Sequence, residues 1–435
     1  MKTIFRKTSV WIWIAFVCAL LLRILILSQT HHDLYYTGIA SDSGNKALNL
    51  SMGYGLASGG AITPHPEEGK RLVDPVEHKN SITPNSYFYS AHEVPGYAIM
   101  LAASWKIFGQ ERYIYLQILQ IILDSLMVFF IFWIGKKLIH PSAGLIAAFL
   151  FAFFIPEARS AAAPLRDVWP VFTTVLVLAI LVKTQYLKSF KKRLLWYAIT
   201  GAILGIGILI HPIIQYLNIF LALALLTYQK KKEALIFFGI TTIMIYLILS
   251  PWILRNYQLF HKFIPTRDAV WQGVWEGWGE FPDKPMGAIF SDRETYYQVT
   301  DEYGPLIYGT PAYNDALKQK SLKAIKKYPG WVIGATLRRI PKFFFTQYHY
   351  PPTGMASWII MFMNRYAITI LLIFALIGGW VQRNHLRKLS ILLVVPLYFC
   401  AGLILLHVEA RYVLPAFIPY FLLVGGMIPR QYGRT

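Results

Sequence analysis

Asp42, in Ala40-Ser41-Asp42-Ser43-Gly44, lies in a long polar segment between two apolar stretches, Val10 to Ser28 and one opening at Pro95. A carboxylate held near a membrane surface can take the proton of an acceptor hydroxyl, a general-base role worth about 10² to 10⁴ in rate. Long ordered loops usually bind or catalyse. The same residue could instead cap a helix running from Lys46 to Leu56, because Asp and Ser ahead of a helix satisfy its free N–H groups.

Other charged residues carry comparable pairs of readings. Glu93, in His92-Glu93-Val94-Pro95-Gly96-Tyr97, is either a second carboxylate that positions substrate or an acid favoured at a helix start. Arg166-Asp167, beside Pro164 and Trp169, could face a polar cavity or form a local helix cap. Arg255 in Pro251-Trp252-Ile253-Leu254-Arg255-Asn256-Tyr257, and Arg411 in Glu409-Ala410-Arg411-Tyr412, are fixed cations next to apolar runs. Guanidinium forks suit phosphate, although interfacial anchoring would also explain them. Arg23 and Asp124 fall inside apolar runs and read as structural contacts or snorkelling ends. His92, His211 and His407 with Glu93 and Glu409 could converge on a divalent metal, but their spacing matches no compact zinc motif. Trp271 to Trp278 could stack a sugar or lie in the interface.

These residues must be positioned by membrane helices. Of 435 residues, 56% are hydrophobic and 15% charged, against about a quarter charged in soluble chains. Apolar runs of about 20 residues, enough to cross a bilayer core, recur throughout. The net charge of +20 sits in short links: Lys2, Arg6 and Lys7; Lys136 and Lys137; Lys188 to Arg193; Lys230 to Lys232; Arg383, Arg387 and Lys388; Arg430 and Arg434. That is the positive-inside pattern, with anionic headgroups as counterions, and it excludes nucleic acid as the partner. The two cysteines, Cys18 and Cys400, both lie in apolar runs and cannot make a disulfide framework. The first apolar run is too long for a typical signal-peptide core and is expected to be an uncleaved anchor.

The pattern predicts an all-α polytopic membrane protein of about ten spans with both ends cytoplasmic. Expected spans are Val10 to Ser28, Tyr113 to Ile134, Ala143 to Ile155, Val168 to Leu187, Leu194 to Ile210, Ile213 to Tyr228, Leu235 to Ser250, Trp358 to Val381, Leu389 to Leu406 and Val413 to Met427. Pro95 to Phe108 is predicted to lie along the interface. The domains expected are a core of residues 1–254 with a catalytic loop at 29–94, a large external loop at 255–350, and C-terminal helices at 351–435. On this topology nearly every acid lies at the outer face, in a plasma (inner) membrane.

Together the ordered motifs resemble the GT-C superfamily of membrane glycosyltransferases, in particular the branch holding protein O-mannosyltransferases and the lipid A aminoarabinose transferase. The motifs are the first-loop acid, Pro95-Gly96-Tyr97 with Phe108-Gly109, Arg166-Asp167, Pro251 to Tyr257, and Glu409-Ala410-Arg411-Tyr412-Val413-Leu414-Pro415. The resemblance implies inverting transfer of a sugar from a polyprenyl-phosphate donor to a glycan, lipid or protein acceptor. It assigns Asp42 as the catalytic carboxylate, and Glu93, Arg166, Asp167, His211, Arg255, Glu409, Arg411 and Tyr412 to substrate binding. No cofactor is required on this reading, since the leaving phosphate is already charged and Arg255 and Arg411 can stabilise it. The first loop has a single Asp42 where protein mannosyltransferases have paired Asp-Glu, and no soluble C-terminal domain is recognisable, so an acceptor held by such a domain is not expected. A flippase for a lipid-linked sugar, and a polysaccharide ligase or polymerase, are the competing functions.

Overall fold

The computed structural model describes residues 2–29, 38–59, 62–64, 71–73, 87–227, 231–345 and 355–428. Much of the first external loop, the boundary expected at 350/351, and Lys230, Arg430 and Arg434 of the basic links lie outside these residues. The core helices are α1 (Lys2–Ser28), α2 (Gly38–Ser51), α3 (Gly96–Phe108), α4 (Ile114–Leu138), α5 (Pro141–Ala152), α6 (Ile155–Ala162), α7 (Val168–Thr184), α8 (Phe190–Ile210), α9 (Leu217–Leu226) and α10 (Lys231–Phe260). The second external segment folds as α11 (Val270–Gly279), α12 (Asp292–Tyr303), α13 (Pro311–Lys327) and α14 (Pro329–Phe345). The chain closes with α15 (Met355–Val381), α16 (Leu386–Leu403), α17 (Ala410–Val413) and α18 (Phe417–Gly425). Two short antiparallel ladders, Ser58–Gly59 with Tyr87–Phe88 and Ile62–Pro64 with Arg71–Val73, interrupt an otherwise helical architecture.

Among the described residues, five helical segments are long and apolar enough to cross a membrane: Ser9–Ser28, Ile114–Leu138, Phe190–Ile210, Lys231–Phe260 and Arg383–Leu403. A sixth is added if α5 and α6, bent by 56°, count as one broken span. The remaining apolar helices, including α7 and the Tyr366–Val381 part of α15, are shorter. The chain is therefore a multi-pass membrane protein. Two expectations change. The stretch between the expected spans ending at Ile155 and opening at Val168 holds a helix, α6, with Pro156 in its first turn, where the missing N–H costs nothing. In addition, α10 runs through Pro251 to Phe260, so the boundary expected at 254/255 falls inside a helix.

Packing explains how the first loop is held. Ala47 and Leu48 of α2 share a buried cluster with Tyr97 and Leu101 of α3 and with Val168 and Trp169 of α7. Gly96 lets α3 approach the end of α8, because a Cβ there would lie 2.5 Å from the Leu209 carbonyl oxygen. Gly109, at φ 68°, stops α3 with a left-handed cap whose N–H donates to the Trp105 carbonyl. The second external segment has its own core, built on Trp275, Trp278, Val299, Tyr313 and Leu317.

Candidate active site

The charged side chains collect at one end of the bundle, opposite the basic links. Lys136 and Lys137 close α4, and Lys191 to Arg193 open α8, whereas His211 and Asp167 stand at the other ends of α8 and α7. Six separate stretches of chain, around Asp42, Glu93, Arg166, His211, Arg267 and Arg411, deliver polar residues to this end.

Asp42 is not a helix cap. It lies inside α2, which begins at Gly38 rather than near Lys46. One turn on, Lys46 pairs with Asp42 Oδ2 at 2.6 Å, and the Ser58 hydroxyl donates to Oδ1 at 3.2 Å. Ser58 in turn lies 3.0 Å from the Ser90 hydroxyl. The Asp42 side chain stays 29% accessible while Lys46 is buried, so the carboxylate faces the open side. The charge of Asp42 is felt at His92, and that of Lys46 at Glu93, which ties α2 electrostatically to the groups beyond.

Glu93 receives two arginines: Arg166 at 2.5 Å and Arg267 at 3.4 Å. Burial opposes its ionisation, yet Arg166 and Arg267, helped by His92 and Lys46, hold the carboxyl far below the ordinary range. Asp167 lies 3.4 Å from His211 Nε2 and 3.8 Å from Arg411. Burial pushes this carboxyl up too, but Arg411, His211 and Arg166 prevail and lower it. His211 is driven down to about 4, first by burial and then by Arg166 and Arg267, against the pull of Asp167. It is a neutral imidazole at pH 7. Glu409 completes the set, 2.6 Å from Arg411 Nε and 3.2 Å from His407 Nε2. Tyr412 is wedged edge-on between His211 and His407, with ring centroids 5.7 and 5.6 Å away, and carries Arg411 over its face.

The second external segment forms a facing wall. Tyr308 Oη lies 3.2 Å from His92 Nε2, and Phe290 packs on His407. Gln272 donates to Glu276 at 2.5 Å and to Asp292 at 3.1 Å, while Tyr313 donates to Gln272 Oε1. Burial, and then neighbouring Asp292, push Glu276 up to about 9, so it carries a proton at pH 7.

Of the residues singled out in the sequence, Glu93, Arg166, Asp167, His211, Glu409, Arg411 and Tyr412 form one connected network, and Asp42 adjoins it. Arg255 stands apart. Its guanidinium donates to the carbonyls of Ser90 at 3.0 Å and Leu56 at 2.8 Å and stacks over Trp252, so it clamps the first loop. Arg23 and Asp124 pair with each other, both fully buried within the bundle. Among the described residues no three His, Cys, Asp or Glu side chains gather as a metal site would require. The sequence reading missed Arg267, Lys46, Ser58, Glu276, Asp292 and Tyr308. Lys46 stands one turn from Asp42 and Glu276 one turn from Gln272, spacings visible in the sequence, but Arg267, Ser58, Asp292 and Tyr308 reach the site only through contacts between elements.

The architecture has known counterparts. Archaeal oligosaccharyltransferase AglB from Archaeoglobus fulgidus, in complex with an inhibitory peptide and a dolichol-phosphate, aligns over 97% of this chain at TM-score 0.53 and 15% identity. The chain has the GT-C fold of membrane glycosyltransferases. It spans 50% of the length of that AglB chain. ArnT from Cupriavidus metallidurans bound to undecaprenyl phosphate aligns over 96% of this chain and 77% of its own, at TM-score 0.41 and 14% identity. The family described as dolichyl-phosphate-mannose-protein mannosyltransferase matches residues 92–254, which hold Glu93, Arg166, Asp167 and His211. No curated protein sequence matches the chain.

Proposed function

We propose that this GT-C protein is an inverting glycosyltransferase that moves a sugar, a hexose or pentose, from a polyprenyl-phosphate donor to an acceptor hydroxyl at the outer face of the plasma membrane. The observation that carries this reading is the gathering of Arg166, Arg267 and Arg411 around exchangeable carboxylates beside the accessible Asp42. In the transfer, the acceptor oxygen attacks the anomeric carbon from the face opposite the phosphate. The new glycosidic bond forms as the bond to the phosphate oxygen breaks, and the acceptor proton passes to Asp42. The polyprenyl phosphate leaves with the bonding electrons as an anion, and needs charge stabilisation rather than a proton.

Each residue has a role in that reading. Arg411, part-exposed and shared between Asp167 and Glu409, can turn to the phosphate with little loss. Arg166 is deeper and rigid, and it sets a positive potential without moving. Neutral His211 orients Asp167, and Tyr412 spaces the two imidazoles. Lys46 and Ser58 aim Asp42 at the acceptor. Support for a polyprenyl-phosphate ligand comes from the AglB complex with a dolichol-phosphate and from the dolichyl-phosphate-mannose description of the matching family. The outer-face assignment rests on the basic links at the opposite helix ends. In this reaction no residue needs a metal, and the transfer is written without one.

The test is transfer in proteoliposomes supplied with labelled polyprenyl-phosphate sugars and a hydroxyl-bearing acceptor extract. Label appearing in an acceptor, with its anomeric configuration inverted, supports the reading. Label that only crosses the bilayer, still lipid-linked, would replace it with transport.

A further inference from the structure

A second polar cluster lies within the helices and takes no part in the chemistry above. Arg23 of α1, Asp124 of α4 and Glu157 of α6 are all at most 1% exposed. Arg23 Nε pairs with Asp124, and its Nη1 donates to the carbonyls of Ala19 and Ala152 at 3.1 Å each. Ala152 is the last residue of α5, so Arg23 satisfies a helix-end carbonyl at the break of the α5–α6 span and meets the negative end of its dipole.

The far side of the break is held from α4. Gln117, Gln120 and Asp124 recur at helical spacing and form a polar stripe in an otherwise apolar helix. Gln117 donates to the Ala162 carbonyl at 2.5 Å, and Gln120 to Ala161 and Ala163 at 3.2 and 3.0 Å. These are the carbonyls that end α6, three to five residues before Arg166 and Asp167. Further back along α6, Glu157 meets the Asp124 carboxyl. No other donor reaches either Glu157 oxygen among the described residues.

Charge decides what that contact is. Two ionised carboxylates beside one guanidinium leave a net negative charge away from water, with Asp167 adding to it from the outer end. Burying an unpaired charge is costly enough that such groups neutralise instead. One proton between Asp124 and Glu157 balances Arg23 and turns a repulsion into a hydrogen bond. We propose that Asp124 and Glu157 share a single proton in the membrane interior, and that this bond, with the Gln117–Gln120 clamp and Arg23, latches α6 so that Arg166 and Asp167 are held in place. Glu157 is then a positioning residue for Arg166 and Asp167, not a catalytic one. The positioning half rests on the proposed transfer; the proton does not.

Two variants test it. Glu157→Gln keeps the shape of the protonated acid and one donor to Asp124, whereas Glu157→Ala removes the bond. In infrared spectra of the purified protein in nanodiscs, wild type minus Glu157→Gln should leave a buried protonated-carboxyl band, the contribution of protonated Glu276 cancelling in the difference. In transfer assays Glu157→Gln should match wild type, while Glu157→Ala should lose about a hundredfold in kcat/KM, mostly through the donor KM. Absence of such a band from both the wild type minus Glu157→Gln and the wild type minus Asp124→Asn differences would overturn the shared proton. Equal transfer by Glu157→Ala and wild type, or equal loss by Ala and Gln, would overturn the latch. If wild type itself transfers nothing, the transfer reading has failed, and the infrared result still decides the proton.

Discussion

The site at the helix ends and the cluster at the α5–α6 break use the same residue types to opposite ends. Inside, Arg23 meets Asp124 and two carbonyls, and nothing there is accessible. At the end of the bundle, Arg411 is divided between Glu409 at 2.6 Å and Asp167 at 3.8 Å and is 21% accessible, and Arg267 reaches Glu93 only at 3.4 Å. A closed pair in low dielectric has nowhere to go, so it fixes backbone. Shared, part-solvated pairs can exchange a carboxylate for a phosphate at small cost. The difference separates scaffold from site more sharply than residue type does.

The largest effect expected lies in the scaffold. Asp124→Leu leaves Arg23 buried without its carboxylate, a loss of about 3–5 kcal/mol, and should abolish monodisperse protein on size-exclusion chromatography. The double variant Arg23→Leu/Asp124→Leu removes both charges and should recover much of the folded yield. If Asp124→Leu alone folds as wild type does, the closed pair is not what fixes α1 to α4.

The corresponding cut at the site should spare folding. Arg411→Ala is expected to raise the donor KM about tenfold, roughly 1.4 kcal/mol, with a melting temperature near wild type. A variant that loses stability but keeps its donor KM would move Arg411 to the scaffold side.

A smaller effect separates the regions by pH. His211 holds its proton less tightly folded, at about 4, than unfolded, near 6.5, so acidification protonates the unfolded chain first. The stability it contributes is present above 6.5 and falls away between there and about 4. Asp167 and Glu93, both lowered, lose their contribution only on further acidification, as pH drops through and below the ordinary carboxylate range. Melting curves for His211→Gln should therefore be flatter than wild type between pH 6.5 and 4. Parallel curves would mean that His211 is not held neutral.

The scaffold was more legible in the sequence than the contacts. Apolar runs and basic links locate the helices because span length and charge bias act residue by residue. The α6 helix was not legible because it is only eight residues long, with Pro156 inside it and Pro164 just beyond, and the donors that satisfy its end, Gln117 and Gln120, lie on another helix. Glu93, Arg166, Asp167, His211, Glu409, Arg411 and Tyr412 were legible as a set because each stands beside a helix end. Arg255 was legible as a cation but not as a clamp, since its carbonyl partners at Leu56 and Ser90 are 199 and 165 residues away in the chain. Arg267 and Asp292 carried no local signal at all. Their surroundings exist only once α11 to α13 have folded over the core.

The most direct measurement compares donor binding with sugar transfer in Asp42→Asn. Asn keeps the size of the side chain and its hydrogen bond with Ser58 but cannot take a proton. Proteoliposomes of the variant should bind the polyprenyl-phosphate donor as wild type does and transfer the sugar about 10² to 10⁴ times more slowly. Turnover close to wild type, with donor binding intact, would contradict Asp42 as the base and with it the account of this site.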